Sequence, residues 1–175
     1  RHTATVKVVK NVTAAGGVSN GTFGFTSNIP GNTSFNLATS GGTASTSNIT
    51  VLAGIPFEIS ETVPAGWSLT DITCTGNNSG VLSGSKVTIT PAVSQSIVCT
   101  YTNKRDTGNV TIVKNATGGN GTFQFNSSLP GGNFSLTTLL GTASTSSISV
   151  PTGSYDVSEI VPAGWSLSSK NCADA

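Results

Sequence analysis

Glu61 and Glu159 are carboxylates in places where a carboxylate is costly. Glu61 lies in Phe57-Glu58-Ile59-Ser60-Glu61-Thr62-Val63-Pro64-Ala65-Gly66-Trp67, and Glu159 in the near copy Tyr155-Asp156-Val157-Ser158-Glu159-Ile160-Val161-Pro162-Ala163-Gly164-Trp165. Read at a strand's period of two, Phe57, Ile59, Glu61 and Val63 share one face, as do Tyr155, Val157, Glu159 and Val161. Each copy thus brings one carboxylate onto an apolar face just before a Pro-Ala-Gly turn. A lone buried carboxylate is expensive and calls for a partner. The same parity supplies two. Val6, Val8 and Lys10 share a face of the first strand, and Ile97, Cys99, Tyr101 and Asn103 share one near the end of the first copy. Lys10, Glu61 and Asn103 all point inward at the ends of apolar strand faces, where they can converge. In the second copy Val110, Ile112 and Lys114 repeat the first strand, and Lys7 becomes Thr111, so Lys10 alone of the two lysines recurs.

The elements that position these groups are strands. The spacing predicts them near 3–10, 21–27, 33–39, 43–52, 56–63, 67–74, 85–90 and 95–103, separated by Gly, Pro and Asn clusters. Short strands at about ten-residue spacing predict an all-β fold, a β-sandwich or a barrel-like variant. Self-comparison finds Asn20-Gly21-Thr22-Phe23 again as Asn120-Gly121-Thr122-Phe123, and Thr43-Ala44-Ser45-Thr46-Ser47 again as Thr142-Ala143-Ser144-Thr145-Ser146. The repeat has the size of a whole domain, so the expected organisation is tandem domains, 1–105 and 109–175, joined by the short link Lys104-Arg105-Asp106-Thr107-Gly108. The second copy offers no equivalents of the last two strands, which predicts an open sandwich with an unpaired edge.

Composition narrows the function. Only 9% of the 175 residues are charged and the formal net charge is +1, so there is no basic field for nucleic acid. No apolar run approaches the roughly 20 residues of a membrane-spanning helix. The chain starts at Arg1 without a signal peptide, and the expectation is a processed or excised piece of a secreted protein.

The Glu-Thr-Val-Pro-Ala-Gly-Trp turn, a first strand ending in inward Lys10 and a last strand ending in Asn103 resemble the collagen-adhesin B-type repeats, also called SpaA-like or prealbumin-like domains, of Gram-positive surface adhesins and pilins. The resemblance covers all of the first copy and the second up to its early stop. It implies Ig-like or prealbumin-like sandwiches and an intramolecular isopeptide bond between Lys10 and Asn103, with Glu61 as proton shuttle. The chemistry is sound: an apolar site lowers a lysine pKa toward a neutral, nucleophilic amine and raises that of a glutamic acid. The alternative is a buried Lys10–Glu61 ion pair with Asn103 hydrogen-bonded to it. The second copy keeps Lys114 and Glu159 without an asparagine. It is read either as cut short or as completed by a strand from another chain.

Cys74 and Cys99 both belong to the first copy. In a secreted module they predict a disulfide that stabilises by roughly 3 kcal/mol in the chain-entropy model. Cys172 corresponds to Cys74 and is expected free, or bonded to a partner chain. No metal or cofactor site is expected, since the single histidine is His2. Nor is an enzyme: the lone His2 cannot serve a triad, and a single self-reaction has no turnover. Trp67 and Trp165 fit core packing better than a glycan-stacking platform. Glu58 and Asp156 alternate outward into solvent. Asn-x-Ser/Thr sites recur, among them Asn11, Asn20, Asn77 and Asn115. The expected function is an extracellular, cell-surface structural module of an adhesin, stalk or fimbria, partnered by further repeats or neighbouring subunits. The alternatives are a filament subunit completed by its neighbour, and a tip domain binding a host protein or glycan through loops such as 75–85.

Overall fold

A computed structural model describes residues 1–14, 20–76 and 80–173. The chain divides into two compact units, Arg1–Asp106 and Thr107–Ala175. Both are all-β, tandem sandwiches of which the second, among the described residues, shows no counterpart of the last strands of the first.

Unit 1 contains β1 (Thr3–Thr13), β2 (Thr22–Ser27), β3 (Ser34–Ala38), β4 (Thr43–Ser45), β5 (Ile49–Leu52), β6 (Phe57–Thr62), β7 (Trp67–Thr75), β8 (Val81–Ser83), β9 (Lys86–Ile89) and β10 (Ser96–Arg105). One sheet runs β4-β1-β10-β7, with β5 also paired to β1; the other runs β3-β2-β6-β9-β8. The first and last strands, β1 and β10, are parallel neighbours, with Val6 opposite Ile97, Val8 opposite Cys99 and Lys10 opposite Tyr101. Alternation in sequence becomes alternation in burial. Every second residue of β1 from Ala4 to Val12 is buried, and Ile97, Cys99, Tyr101 and Asn103 are the buried face of β10. Between the sheets these faces meet Phe23, Phe25, Ile59, Val87 and Ile89 in one core.

Two differences from the expected strands have local causes. The single strand expected over 43–52 is two, β4 and β5, because Thr46 interrupts it. Its hydroxyl accepts the Val8 amide at 3.0 Å while its own amide donates to the Val8 carbonyl at 2.9 Å, so a side chain replaces part of the ladder. The short strand β8, absent from the sequence reading, pairs with β9 inside the span read as a loop. Part of that 75–85 span, with the Asn77 site, lies outside the described residues.

Unit 2 contains β11 (Thr107–Val110), β12 (Val113–Asn115), β13 (Thr122–Ser127), β14 (Phe134–Thr137), β15 (Thr142–Ser144), β16 (Ile148–Pro151) and β17 (Val157–Ile160). They pair as β11-β16, β12-β15 and β14-β13-β17. The residues matching the long β1 thus form two short pieces, and those matching β7, from Trp165 to Cys172, form no strand. Both effects have one cause. In unit 1, β10 lies between β1 and β7, and unit 2 has no counterpart of it among the described residues. The core shrinks accordingly to Phe123, Phe125 and Leu136 with half-buried neighbours.

The repeated Asn-Gly-Thr-Phe and Pro-Ala-Gly-Trp motifs are two halves of one contact. Trp67 meets Phe23 edge-to-face at 5.1 Å, and Trp165 meets Phe123 at 5.0 Å. A Cβ on Gly21 would lie 3.0 Å from the Trp67 ring, and one on Gly121 would lie 3.3 Å from Trp165, so a larger residue would press on each indole. Gly66 and Gly164, at φ of 78° and 81°, make the turn that delivers the indole.

Candidate functional site

Lys10, Glu61 and Asn103 come together in the core of unit 1, each at most 3% exposed. Three strands supply them: β1 and β10 from one sheet and β6 from the other. Lys10 Nζ donates to Asn103 Oδ1 at 2.6 Å, and Asn103 Nδ2 donates to Glu61 Oε1 at 2.6 Å. Lys10 Nζ is also 3.5 Å from Glu61 Oε1. An amine, a carboxamide and a carboxyl group are therefore mutually within hydrogen-bond reach in a site closed to water.

Three further groups shape the site. The Tyr101 carbonyl accepts from Lys10 Nζ at 3.1 Å, and the Phe23 ring lies 4.6 Å below the ammonium. The Tyr101 hydroxyl donates to the Ile59 carbonyl at 2.8 Å, tying β10 to β6 one step from Glu61. A bulge in the pairing of β10 with β7 falls between Thr102 and Asn103, with Thr70 Oγ1 donating to the Thr102 carbonyl at 3.0 Å. The extra residue of the bulge is Thr70 on β7, so β10 keeps its alternation and Asn103 stays on the buried face with Tyr101. Parity foretold that Tyr101 is inward; the bulge and the ring under Lys10 had no signal beyond the Phe23 repeat.

Burial dominates the electrostatics. It lowers Lys10 to about 8, against the opposing pull of the Glu61 charge. It raises Glu61 above the usual carboxylate range, although Lys10 and the Asn103 hydrogen bond pull the other way. Tyr101 is pushed up by burial and by Glu61. Glu61 Oε2 is buried and lacks a hydrogen-bond partner, so the carboxylate form is only half satisfied. The site favours a neutral amine beside a protonated acid more than water would.

Cys74 and Cys99 stand directly opposite each other in β7 and β10 and are joined by a disulfide, with 4.1 Å between Cα atoms. Cys172 is free and exposed. Trp67 is buried against Phe23 and under the Arg105 guanidinium at 5.2 Å, which makes it a core residue. Glu58 does face outward, but it is not simply solvated: Lys86 Nζ lies 2.9 Å from its Oε1 across the β6–β9 pairing. The Asn20 and Asn120 side chains accept from the Gly42 and Gly141 amides at 3.1 and 2.9 Å, so these asparagines act as turn ties.

Unit 2 repeats part of the cluster. Lys114 and Glu159 form an ion pair at 3.0 Å, and Lys114 Nζ lies 4.2 Å over Phe123, the counterpart of Phe23. Their side chains are 12% and 8% exposed, where those of Lys10 and Glu61 are fully buried. Among the described residues no group of three or more His, Cys, Asp or Glu converges as a metal site, and no helix is long and apolar enough to cross a membrane.

Unit 1 is a two-sheet β-sandwich module whose parallel first and last strands hold buried Lys10 and Asn103, with Glu61 facing them from β6 of the other sheet. The particular family follows from the sequence match: the prealbumin-like fold domain aligns with residues 6–105 and again with 110–175, and the chain belongs to that family. Among curated proteins none matches. Of solved structures, the major pilin protein of Streptococcus pyogenes aligns over 95% of this chain and 84% of its own, at 12% identity and a TM-score of 0.47. A leucine-rich repeat protein from Bacteroides thetaiotaomicron aligns over 86% of this chain and 21% of its own, at 14% identity and a TM-score of 0.23. At such scores neither superposition carries a functional argument.

Proposed function

We propose that this chain is a load-bearing structural module of an extracellular surface stalk, adhesin or fimbria, and that Lys10 and Asn103 close an isopeptide bond inside unit 1. The observation that carries the reading is the buried Lys10–Asn103–Glu61 cluster between parallel terminal strands. Neutral Lys10 Nζ attacks Asn103 Cγ, and protonated Glu61 gives its proton to Nδ2. The Cγ–Nδ2 bond then breaks, Nδ2 leaves as ammonia, and Glu61 takes back the surplus proton from Nζ. One amide replaces another and Glu61 is restored.

The bond suits a mechanical role because of where it lies. Opposed pulls on the two ends of unit 1 load β1 toward its start and β10 toward its end, which shears the β1–β10 ladder. A covalent link from Lys10 to Asn103 carries that load past everything between them, so neither the ladder nor the core has to bear it. The Cys74–Cys99 disulfide locks β7 to the same strand and fits an oxidising, extracellular setting. Further repeats or neighbouring subunits are then the natural partners.

The test is the intact mass of the chain under reducing, denaturing conditions. The expected result is a monomer lighter by one ammonia, with the loss abolished in Lys10→Ala and in Asn103→Ala. A full, unshifted mass overturns the bond and leaves Lys10 and Glu61 as a buried ion pair.

A further inference from the structure

The chain contains two Asn-Gly pairs, Asn20-Gly21 and Asn120-Gly121, one in each unit. Asn-Gly is the dipeptide most prone to modify itself, because a glycine without a Cβ leaves its amide nitrogen open to the preceding side chain. In that reaction the glycine nitrogen gives up its proton and bonds to the asparagine Cγ. The Cγ–Nδ2 bond breaks, and Nδ2 leaves as ammonia with that proton. Water then opens the succinimide to aspartate or isoaspartate. Both residues have structural reasons to stay. A Cβ at position 21 would press on the Trp67 ring at 3.0 Å, and Asn20 Oδ1 holds the Gly42 amide at 3.1 Å. Isoaspartate would lengthen the backbone by one methylene directly before Gly21, under the indole.

A buried threonine faces each glycine. The Gly21 amide donates to Thr39 Oγ1 at 2.9 Å, and that hydroxyl donates onward to the Gly21 carbonyl at 3.2 Å. The Gly121 amide donates to Thr138 Oγ1 at 3.0 Å, and that hydroxyl donates to the Gly121 carbonyl at 3.3 Å. Among the described residues, Thr39 and Thr138 are the buried polar ones besides Lys10, Glu61 and Asn103, at 7% and 3% exposed. We propose that Thr39 and Thr138 protect the folded chain from deamidation, their hydroxyls engaging the Gly21 and Gly121 nitrogens that would otherwise attack Asn20 and Asn120. Removing the amide proton then requires breaking a buried hydrogen bond. The Gly42 amide polarises the Asn20 carbonyl, which alone would favour attack, so the restraint has to act on the nitrogen. It does so in both units, and it does not depend on the Lys10–Asn103 bond.

The full chain is held in mildly alkaline buffer at body temperature, and each site is followed by peptide mapping, with the urea-unfolded chain as reference. The expected result is that both sites stay intact while the unfolded chain converts. Thr39→Val keeps the shape and loses the hydroxyl; it should speed conversion of Asn20 about five- to tenfold and leave Asn120 unchanged. Thr138→Val should do the reverse, and Thr39→Ser, which keeps a hydroxyl, should retain the protection. Native conversion at the unfolded rate overturns the proposal, as does a Thr39→Val chain that converts no faster than the unsubstituted one. Equal acceleration of Asn120 in Thr39→Val, or a Thr39→Ser chain as labile as Thr39→Val, would trace the effect to general loosening and overturn it too. Hydrogen exchange at the Gly21 amide needs no variant: fast exchange while unit 1 stays folded would also sink the idea.

Discussion

Units 1 and 2 place nearly the same residues in nearly the same order, yet one has a closed core and the other an open one. Val6, Val8 and Lys10 are fully buried; their counterparts Val110, Ile112 and Lys114 are only partly so. The intrinsic preferences of the two stretches are close, so the difference comes from the neighbour strand. β1 is one continuous strand because β10 pairs with it along its length, and β11 and β12 are fragments because they pair on the other side alone. Strand formation here is a property of pairing and burial more than of local propensity.

The largest expected effect separates the two lysines. Lys10→Met strips buried Glu61 of its partner and removes the proposed cross-link, and should destabilise unit 1 by about 3–5 kcal/mol. Lys114→Met should cost less than half as much, because Glu159 keeps some access to water. Hydrogen exchange read separately over residues 20–76 and 120–160 measures both. Equal losses in the two units would break the comparison.

Next come the cysteines. Replacing Cys74 and Cys99 together by alanine removes a cross-link spanning 25 positions and should cost unit 1 about 3 kcal/mol. Cys172→Ser, at an exposed free thiol, should leave the melting temperature unchanged. A marked drop for Cys172→Ser would mean that this thiol is engaged after all.

The pH dependence sharpens the reading of the cluster itself. Lys10 in the fold titrates near 8, below the ordinary 10.5, so between those values the unfolded chain binds more protons than the folded one. Stability from this group therefore rises with pH from about 8 to about 10.5 and is lost as pH falls through about 8. Glu61, raised by burial, works in the opposite sense: its contribution is present below about 4.5 and is lost as pH rises through its folded value. Asn103→Ala, which cannot form the bond, should show the alkaline rise in denaturant midpoint, and adding Lys10→Met should erase it. The unsubstituted chain should lack the rise, because an amide nitrogen does not titrate there. An alkaline rise in the unsubstituted chain equal to that of Asn103→Ala would argue against the bond.

Much of this was legible in the residues, for physical reasons. A strand's two-residue period is strict, so the inward placement of Lys10, Glu61 and Asn103 followed from parity alone. The family resemblance rested on the turn Glu61–Trp67, where Gly66 supplies the positive φ and the Trp67 indole packs on Phe23 over Gly21. The distances within the cluster and the Phe23 ring under Lys10 were not legible, since they depend on how two sheets meet. The Glu58–Lys86 pair was missed because it needs the β6–β9 register. The Thr46 break was missed because a hydroxyl there takes over a ladder hydrogen bond, which no alternation pattern reveals.

One local difference between the units runs against the expected chemistry of a turn. The tight connection after β3 uses Ser40-Gly41-Gly42, and the one after β14 uses Leu139-Leu140-Gly141. Gly41 and Leu140 hold the same left-handed backbone, at φ of 61° and 55°. Glycine adopts it freely, whereas a side chain there costs roughly 1–2 kcal/mol. Leu140 is 92% exposed, so burial in the chain offsets none of that. Leu140→Gly should therefore stabilise unit 2, by only about 0.5–1 kcal/mol because glycine also gains freedom in the unfolded chain. Gly41→Leu should destabilise unit 1 by a similar amount, since no atom lies within 4 Å of a Cβ built there and strain is the only penalty. Paired denaturant titrations of the two variants decide the matter. If Leu140→Gly weakens unit 2 instead, the leucine is gaining a contact in solution that outweighs its backbone strain, and this turn becomes the place to look for one.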